Sequence, residues 1–268
     1  MNKPTALPPI LPTRRDGVLT ITMNRPENRN ALSESMMRAL QLTLDEAVED
    51  GGVKVIIIAA KGPAFSAGHD LKEMSAHRRD ADRGLSYYRS IFAQCGRLMQ
   101  TIVRHPKPVI AQVQAVATAA GCQLVASCDL AVASTDARFA TPGVNIGLFC
   151  STPMVALSRV VPRKAALEML LTGEAVDAEE AKRIGLVNRV VAPGELEHET
   201  EALARFLASK PTTTLRTGKL AFQHQLELGL SNAYDYVGEI MVQNMLHEEA
   251  REGIGAFLEK RPPNWPEK

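Results

Sequence analysis

The sequence has no excess of charge of either sign and no apolar run long enough to cross a bilayer. Its 31 basic and 30 acidic residues are mixed along the chain and leave a formal net charge of +1. This distribution provides neither a basic stripe for nucleic acid nor an acidic tail. The longest wholly apolar run, Val55 to Ala60, is far shorter than a membrane-spanning segment. We therefore expect a small-molecule ligand, with no role for nucleic acid or a membrane.

The four cysteines, Cys95, Cys122, Cys128 and Cys150, form no C-x-x-C pair. They lie in apolar or helical surroundings, which is typical of reduced, buried thiols and argues against disulfides or a metal site. In the first 15 residues, prolines interrupt any apolar signal region, and no small-residue cleavage site follows. We interpret residues 1–15 as a loose tail on a cytoplasmic protein.

Strand and helix patterns alternate along the first half of the chain, which predicts an α/β fold with a large core. Strands are predicted in "LTITMN", "VKVIIIAA", "PVIAQVQAVA" and "DLAVAS", and helices after a Ser33 cap, over 87–104 and over about 120–127. After about Pro153 helices dominate. The expected organisation is a sheet-containing core over residues 16–200 and a helical region over 201–268, packed as one unit.

The stretch "AFSAGHDL" places Ser66, His69 and Asp70 close together and suggests a catalytic triad. Geometry argues against it, because adjacent residues in an extended segment point to opposite faces and cannot converge in line. The G-x-S-x-G elbow of serine hydrolases is also absent, and the glycines at 62 and 68 do not match G-x-G-x-x-G.

The backbone of this stretch offers a different chemistry. Small residues follow a buried strand and leave the amide of His69 free to face a ligand, while "ATAAGCQL" begins a helix near Ala120 with unpaired first amides. Two such amides that converge form an oxyanion hole for an acyl oxygen. The same small residues would also suit close helix–strand packing, and the sequence leaves both interpretations open.

Several longer segments resemble the crotonase, or enoyl-CoA hydratase/isomerase, superfamily over nearly the whole chain. They are "NRPENRNAL", "AFSAGHDLKEM", "HPKPVIAQVQAVATAAGCQLVASCDLAVAS", "FATPGVNIGL", "LTGEAVDAEEAKRIGLVNRVV" and "REGIGAFLEKRPPNW". The resemblance implies a spiral of ββα repeats with a helical C-terminal trimerisation region, often as a dimer of trimers. It also implies an acyl-CoA thioester as substrate, with no separate cofactor.

The resemblance assigns roles to individual residues. The oxyanion-hole amides fall on His69 and Ala120, and the C-terminal lysine that can reach the nucleotide, often of a neighbouring subunit, falls on Lys260. Arg25 and Arg29 offer positive charge for phosphates, although exposed loop arginines are commonly only solvated. The remaining positions assigned to coenzyme A or substrate are Arg29, Ala31, Ala67, Gly68, Asp70, Leu71, Gly121 and Asn145.

The sequence departs from the family at its acid/base positions. The two glutamates that activate water in family hydratases are replaced by Gln123 and Gly143, and a third position that bears aspartate in some members is Ser151. Neither glutamine nor glycine can exchange a proton at neutral pH. We therefore expect weak or different activity, or else a non-catalytic acyl-CoA-binding or assembly protein.

Other side chains are weaker candidates for the missing chemistry. The His69 imidazole is the titratable group best placed to substitute, against the alternative that only its amide matters. Asp70 is expected to cap the loop, and Gln123, Asn145 and Ser151 to orient substrate or water through hydrogen bonds. Cys95 and Cys150 would be nucleophiles only if exposed.

Overall fold

The computed structural model describes residues 7–266, in which ten strands form two sheets. The larger sheet has six strands in the order β1-β2-β3-β5-β7-β10, and the smaller has four in the order β4-β6-β8-β9. Strand pairing is parallel except for β1 with β2 and β8 with β9. The strands are β1 (Ile10–Arg15), β2 (Val18–Met23), β3 (Val55–Ala60), β4 (Ala64–Ser66), β5 (Val109–Val113), β6 (Val116–Thr118), β7 (Leu130–Ser134), β8 (Arg138–Ala140), β9 (Val176–Asp177) and β10 (Arg189–Val191).

Eleven α-helices lie within the described residues, and the last three follow all of the strands and the final core helix. The first begins where the sequence predicted, because the Ser33 hydroxyl accepts a hydrogen bond from the Met36 N–H (3.2 Å). The helices are α1 (Glu34–Glu49), α2 (Leu71–Ala76), α3 (Leu85–Arg104), α4 (Ala120–Ser127), α5 (Ser151–Val160), α6 (Arg163–Thr172), α7 (Ala178–Arg183), α8 (Leu196–Ala208), α9 (Thr212–Gln225), α10 (Leu230–Met245) and α11 (Glu248–Leu258).

The strand β3 is covered on both faces, as its nearly continuous apolar sequence predicted. Ile56 and Ile58 face the main core, while Val55 and Ile57 pack in a second cluster beneath α8. This arrangement ties α8 to the larger sheet. The helix crosses the boundary expected at residue 200, so the core continues to residue 208.

The chain passes repeatedly from the larger sheet to the smaller one. β3 leads to β4, β5 to β6 and β7 to β8, each after a few residues. The single strand predicted in "PVIAQVQAVA" is therefore two strands in different sheets. Gln114, at the break between them, donates to the Ala64 carbonyl oxygen (3.1 Å). This ββα spiral places the ends of β4 and β6 side by side.

The prediction of a loose tail over residues 1–15 is wrong for residues 10 to 15. These residues form β1, whose Ile10 is buried and which pairs antiparallel with β2. Pro12 is compatible with this strand because β1 lies at the sheet edge, where a missing N–H costs little. Residues 1–6 lie outside the described part of the chain.

Among residues 7–266, no helix combines the length and apolar character that crossing a bilayer requires.

Candidate active site

The two loops rich in small residues meet at one edge of the smaller sheet. β4 and β6 are parallel neighbours, so the chain leaves both strands in the same direction. A Cβ on Gly68, whose φ is +83°, would lie 2.9 Å from Ala119 Cβ and 3.1 Å from Ala120 N. A Cβ on Gly121 would overlap the carbonyl oxygen of Ser66. Glycine at both positions therefore brings the segments of His69 and Ala120 into contact.

The N–H groups of His69 and Ala120 donate no hydrogen bond to a protein acceptor within residues 7–266. Ala120 is the first residue of α4, where unpaired amides and the helix dipole produce a positive end. Ala119 before it has φ +50°, a strained conformation, and its N–H donates to the Ala140 carbonyl oxygen (2.9 Å). Two free N–H groups in this arrangement are suited to an oxygen that gains negative charge.

The loop over residues 25–32 lies alongside the segment that carries His69. The Ser66 hydroxyl donates to the Asn30 carbonyl oxygen (2.9 Å), and the Ala67 N–H donates to the Arg29 carbonyl oxygen (3.0 Å). The Leu32 N–H in turn donates to the Gly68 carbonyl oxygen (2.7 Å). The fold therefore brings Arg29, Ala67 and Gly68 together from two distant parts of the sequence.

Asn30 holds this loop and was missed by the sequence reasoning. Its side chain is buried, and its Nδ2 donates to the carbonyl oxygens of Lys61 (2.8 Å) and Ala64 (2.9 Å). Its Oδ1 accepts from the Arg25 N–H (2.8 Å), and its φ of +49° is one that asparagine tolerates better than most residues. The last asparagine of "NRPENRNAL" is Asn30, and its presence in a loop was the only sequence signal for this role. Its hydrogen-bond partners are determined by the fold.

The polar side chains that suggested a triad have structural partners instead. Ser66 is fully buried, and its hydroxyl also accepts from the Gly68 N–H (3.3 Å). Asp70 caps α2, since its Oδ1 accepts from the N–H groups of Lys72 (2.9 Å) and Glu73 (3.1 Å). This cap is the role that the sequence favoured for Asp70.

The His69 imidazole lies edge-on to the Phe92 ring, with the ring centres 5.4 Å apart. Both ring nitrogens are buried, and neither has a well-directed hydrogen-bond partner. Burial lowers the pKa of His69, and the backbone carbonyl of Leu32 offsets part of that effect. The ring is therefore a neutral imidazole at neutral pH.

Gln123 lies on α4 beneath α3 and is 4% exposed. Its Oε1 is 3.9 Å from the Cys95 Sγ. Cys95 lies one helical turn after Phe92, so α3 carries both the residue that contacts His69 and the residue that contacts Gln123. Burial raises the pKa of Cys95 to about 12 and also raises the pKa of Cys150, which excludes both as ready thiolate nucleophiles.

Gly143, the position predicted for the second family glutamate, leaves no room for a larger side chain. A Cβ on Gly143 would lie 2.7 Å from the Leu148 carbonyl oxygen and 2.9 Å from the Cys150 Sγ. Ser151 begins α5 with its hydroxyl exposed and 3.4 Å from the Phe149 carbonyl oxygen. Asn145 is exposed on the 3₁₀ turn Pro142–Ile146, which also contains Gly143. Neither Asn145 nor Ser151 makes a hydrogen bond to His69 or Gln123.

Two of the residues assigned to coenzyme A, Ala31 and Asp70, line one cavity. A cavity of about 320 Å³ opens beside the 25–32 loop, and Leu71, at the start of α2, is 51% exposed. Lys260 follows α11, which is attached to α9 through Glu249, and its side chain makes no hydrogen bond or ion pair with the site of its own chain. The cavity is lined by Arg25, Asn28, Ala31, Ser33, Ser35, Asp70 and Glu73.

The two-sheet ββα spiral defines a protein of the crotonase fold class. Crystal structures show the same fold: an enoyl-CoA hydratase from Mycobacterium smegmatis has a TM-score of 0.92 and 53% identity, covering 96% of this chain and 99% of that one. The human enoyl-CoA hydratase domain-containing protein 3 has a TM-score of 0.91 and 48% identity, covering 96% and 100%.

The chain belongs to the enoyl-CoA hydratase/isomerase family, whose model matches residues 13–268. The rat protein named "Enoyl-CoA hydratase domain-containing protein 3, mitochondrial" is 48% identical over 98% of this chain and 86% of its own length. A putative enoyl-CoA hydratase of Thermus thermophilus is 36% identical over 92% of this chain and 97% of its own length. The predicted family and α/β spiral are confirmed.

Proposed function

We propose that this protein binds an acyl-CoA thioester and stabilises negative charge on the thioester oxygen with the N–H groups of His69 and Ala120. The observation that carries the proposal is the pair of unpartnered amides held together by the contacts at Gly68 and Gly121. Family membership supports a lyase or isomerase reaction on an acyl-CoA. In this proposal the thioester is the substrate, and no separate cofactor takes part.

The coenzyme A portion occupies the loop of residues 25–32 and the cavity beside it. Arg25 and Arg29 supply positive charge for phosphate groups there, and Ala31 and Ala67 leave room for the chain of the ligand. In this proposal Lys260 contributes from a neighbouring subunit, as the resemblance to the family implies.

We further propose that water addition by paired carboxylates is not the reaction. Gln123 cannot accept a proton, and the space beside Gly143 is filled by Leu148 and Cys150. The general acid and base of hydration each contribute roughly 10²-fold or more. Hydration of an enoyl-CoA is therefore expected to be weak, and a reaction that needs only an enolate is favoured.

A second candidate is an acyl-CoA-binding or assembly protein without turnover. The closed space at Gly143 favours this alternative, because it removes one catalytic position without altering the paired amides. Both candidates predict binding of an acyl-CoA and differ only in the chemical step.

We propose a homotrimer or a dimer of trimers as the assembly. Support comes from α10, which has no buried residue in the single chain although many of its side chains are apolar. Large exposed apolar patches commonly mark association surfaces. The exposed apolar residues of α9 to α11 include Phe222, Leu226, Leu230, Tyr234, Met241, Val242, Met245, Leu246, Phe257 and Leu258.

A cytoplasmic location remains a prediction from the cysteines and the N-terminal sequence. The animal relatives carry "mitochondrial" in their names, which gives the cytoplasmic prediction no support.

The test combines calorimetry with a spectroscopic probe. A cinnamoyl-CoA thioester absorbs at longer wavelength when its carbonyl oxygen accepts strong hydrogen bonds, so a red shift on binding reports the paired amides without any turnover. We expect binding and a red shift, together with little hydration of crotonyl-CoA. Binding without a shift would contradict the oxyanion hole, and no binding would remove both candidates.

A turnover screen separates the two candidates. The protein is assayed for hydration, isomerisation and thioester hydrolysis with several acyl-CoAs. Turnover in any assay supports the enzyme, whereas a red shift without any turnover supports the binding protein. Ordinary hydratase rates with crotonyl-CoA would contradict the interpretation of Gln123 and Gly143.

A further inference from the structure

We propose that the side chain of His69 is a catalytic base: its imidazole removes a proton from the acyl carbon next to the thioester carbonyl. This proposal rests on the proposed function, because it needs the thioester oxygen at the amide of the same residue. It assigns the chemical step to a side chain outside the usual carboxylate positions.

The first observation is that both ring nitrogens of His69 are buried and neither makes a well-directed hydrogen bond. Buried polar atoms are nearly always hydrogen-bonded. The Leu32 carbonyl oxygen is close enough to act on the pKa of the ring but gives it no hydrogen bond of good geometry, and the ring packs edge-on against Phe92. A ligand that reaches this space can supply the missing partner.

The second observation is position. An oxygen bound by the His69 N–H lies roughly 3 Å from that nitrogen, and the reacting carbon is two bonds from the oxygen. The imidazole is attached to the same residue through a single methylene group. A thioester in the oxyanion hole therefore presents its α-carbon within reach of the ring.

The third observation is the absence of a competing base within residues 7–266 around this space. Cys95 has its pKa raised to about 12, and Gln123 cannot titrate. The nearest carboxylates have other roles, since Asp70 caps α2 and Glu73 accepts the Glu34 N–H (3.1 Å). Of the groups compared, the neutral imidazole is the one that has no structural role and can accept a proton near neutral pH.

The step balances without a further reactant. One ring nitrogen takes the α-proton, the electron pair of the broken C–H bond forms a carbon–carbon double bond, and the carbonyl becomes an enolate oxygen held by the two amides. The resulting imidazolium returns the proton to the same carbon, or to another carbon of an unsaturated chain. In deuterated water the first route exchanges the α-hydrogens of a saturated acyl-CoA.

The experiment measures deuterium uptake by butyryl-CoA, followed by mass spectrometry, in wild type and His69→Gln. Removing a general base lowers rates by roughly 10²- to 10⁴-fold, so we expect exchange to fall at least about 100-fold while the cinnamoyl-CoA red shift remains. His198→Gln, the same substitution at an exposed position of α8, is the matched control and should exchange at the wild-type rate.

A second variant guards against a folding defect in His69→Gln. His69→Ala leaves a cavity, and added imidazole is expected to restore part of the exchange, which a purely structural role would not produce. Unchanged exchange in His69→Gln, or a wild type that shows the red shift without exchange, overturns the base and leaves the oxyanion hole intact. Loss of the red shift in wild type would instead overturn the proposed function.

Discussion

Glutamates placed at Gln123 and Gly143, the two positions predicted for the family's acid/base residues, are not expected to produce hydration. The perturbation is the double variant Gln123→Glu/Gly143→Glu, which places a carboxylate at each of these two sequence positions. The two positions differ sharply in the structure. Gln123 has the size of glutamate, so its replacement keeps the volume and changes only the charge of a group that is 4% exposed. Burial would raise the pKa of this new carboxyl.

The cost of the double variant in folding stability is determined mainly by the substitution at Gly143. Its Cβ would lie 2.7 Å from the Leu148 carbonyl oxygen and 2.9 Å from the Cys150 Sγ, whereas ordinary contacts begin at 3.4 Å. The backbone at Leu148 must therefore move by about 0.7 Å before any carboxylate is added. Overpacking of this kind costs about 1–3 kcal/mol for small groups, and a glutamate side chain costs more.

The assays are urea unfolding and hydration of crotonyl-CoA. We expect Gly143→Ala alone to lower the free energy of unfolding by about 1–3 kcal/mol. Gly96→Ala in α3, where a Cβ meets nothing within 4 Å, should stabilise by up to about 1 kcal/mol. The double variant should hydrate no faster than wild type. A double variant of wild-type stability that hydrates crotonyl-CoA at least 100-fold faster would refute this reasoning.

Three further predictions concern buried polar groups. Burial lowers the pKa of His105 to about 4. Below pH 6.5 the unfolded chain therefore binds a proton at this residue that the folded chain does not bind. The free energy of unfolding consequently decreases as the pH falls from about 6.5 to 4. Between pH 7.5 and 5 this loss is about 2 kcal/mol in urea titrations, and His105→Gln should remove it; an equal pH dependence in both proteins would contradict the assignment. Asn30→Ala removes the hydrogen bonds to the Arg25 N–H and the Lys61 carbonyl oxygen, whereas the Ala64 carbonyl oxygen keeps the Gln114 donor. The variant should cost about 2 kcal/mol and weaken acyl-CoA binding in calorimetry; unchanged affinity would separate this asparagine from the site. In wild type the Lys219 ammonium group lies 2.6 Å from the Asp129 carboxylate. Lys219→Met leaves this carboxylate buried without its partner and should lower the free energy of unfolding by about 3–5 kcal/mol. Adding Asp129→Leu should recover much of this loss, and no recovery would contradict a cost due to the unpaired charge.

The sequence by itself determined the alternation of strands and helices in the first half of the chain, and the family. Apolar periodicity predicted β2, β3 and β7, and the Ser33 cap marked the start of α1, because these features depend on neighbours within a few residues. Short strands such as β4, β8 and β9 were missed, since two or three residues show no periodicity. The edge strand β1 was missed because its prolines resemble a loop.

The sequence also predicted the segments that carry the candidate site, but tertiary structure decided what each residue contacts. His69 and Ala120 are about 50 residues apart, and the parallel pairing of β4 with β6 brings their segments together. The role of Asn30 and the closed space at Gly143 likewise arise from contacts with distant segments. Local patterns cannot specify such contacts, because they depend on how the whole chain packs.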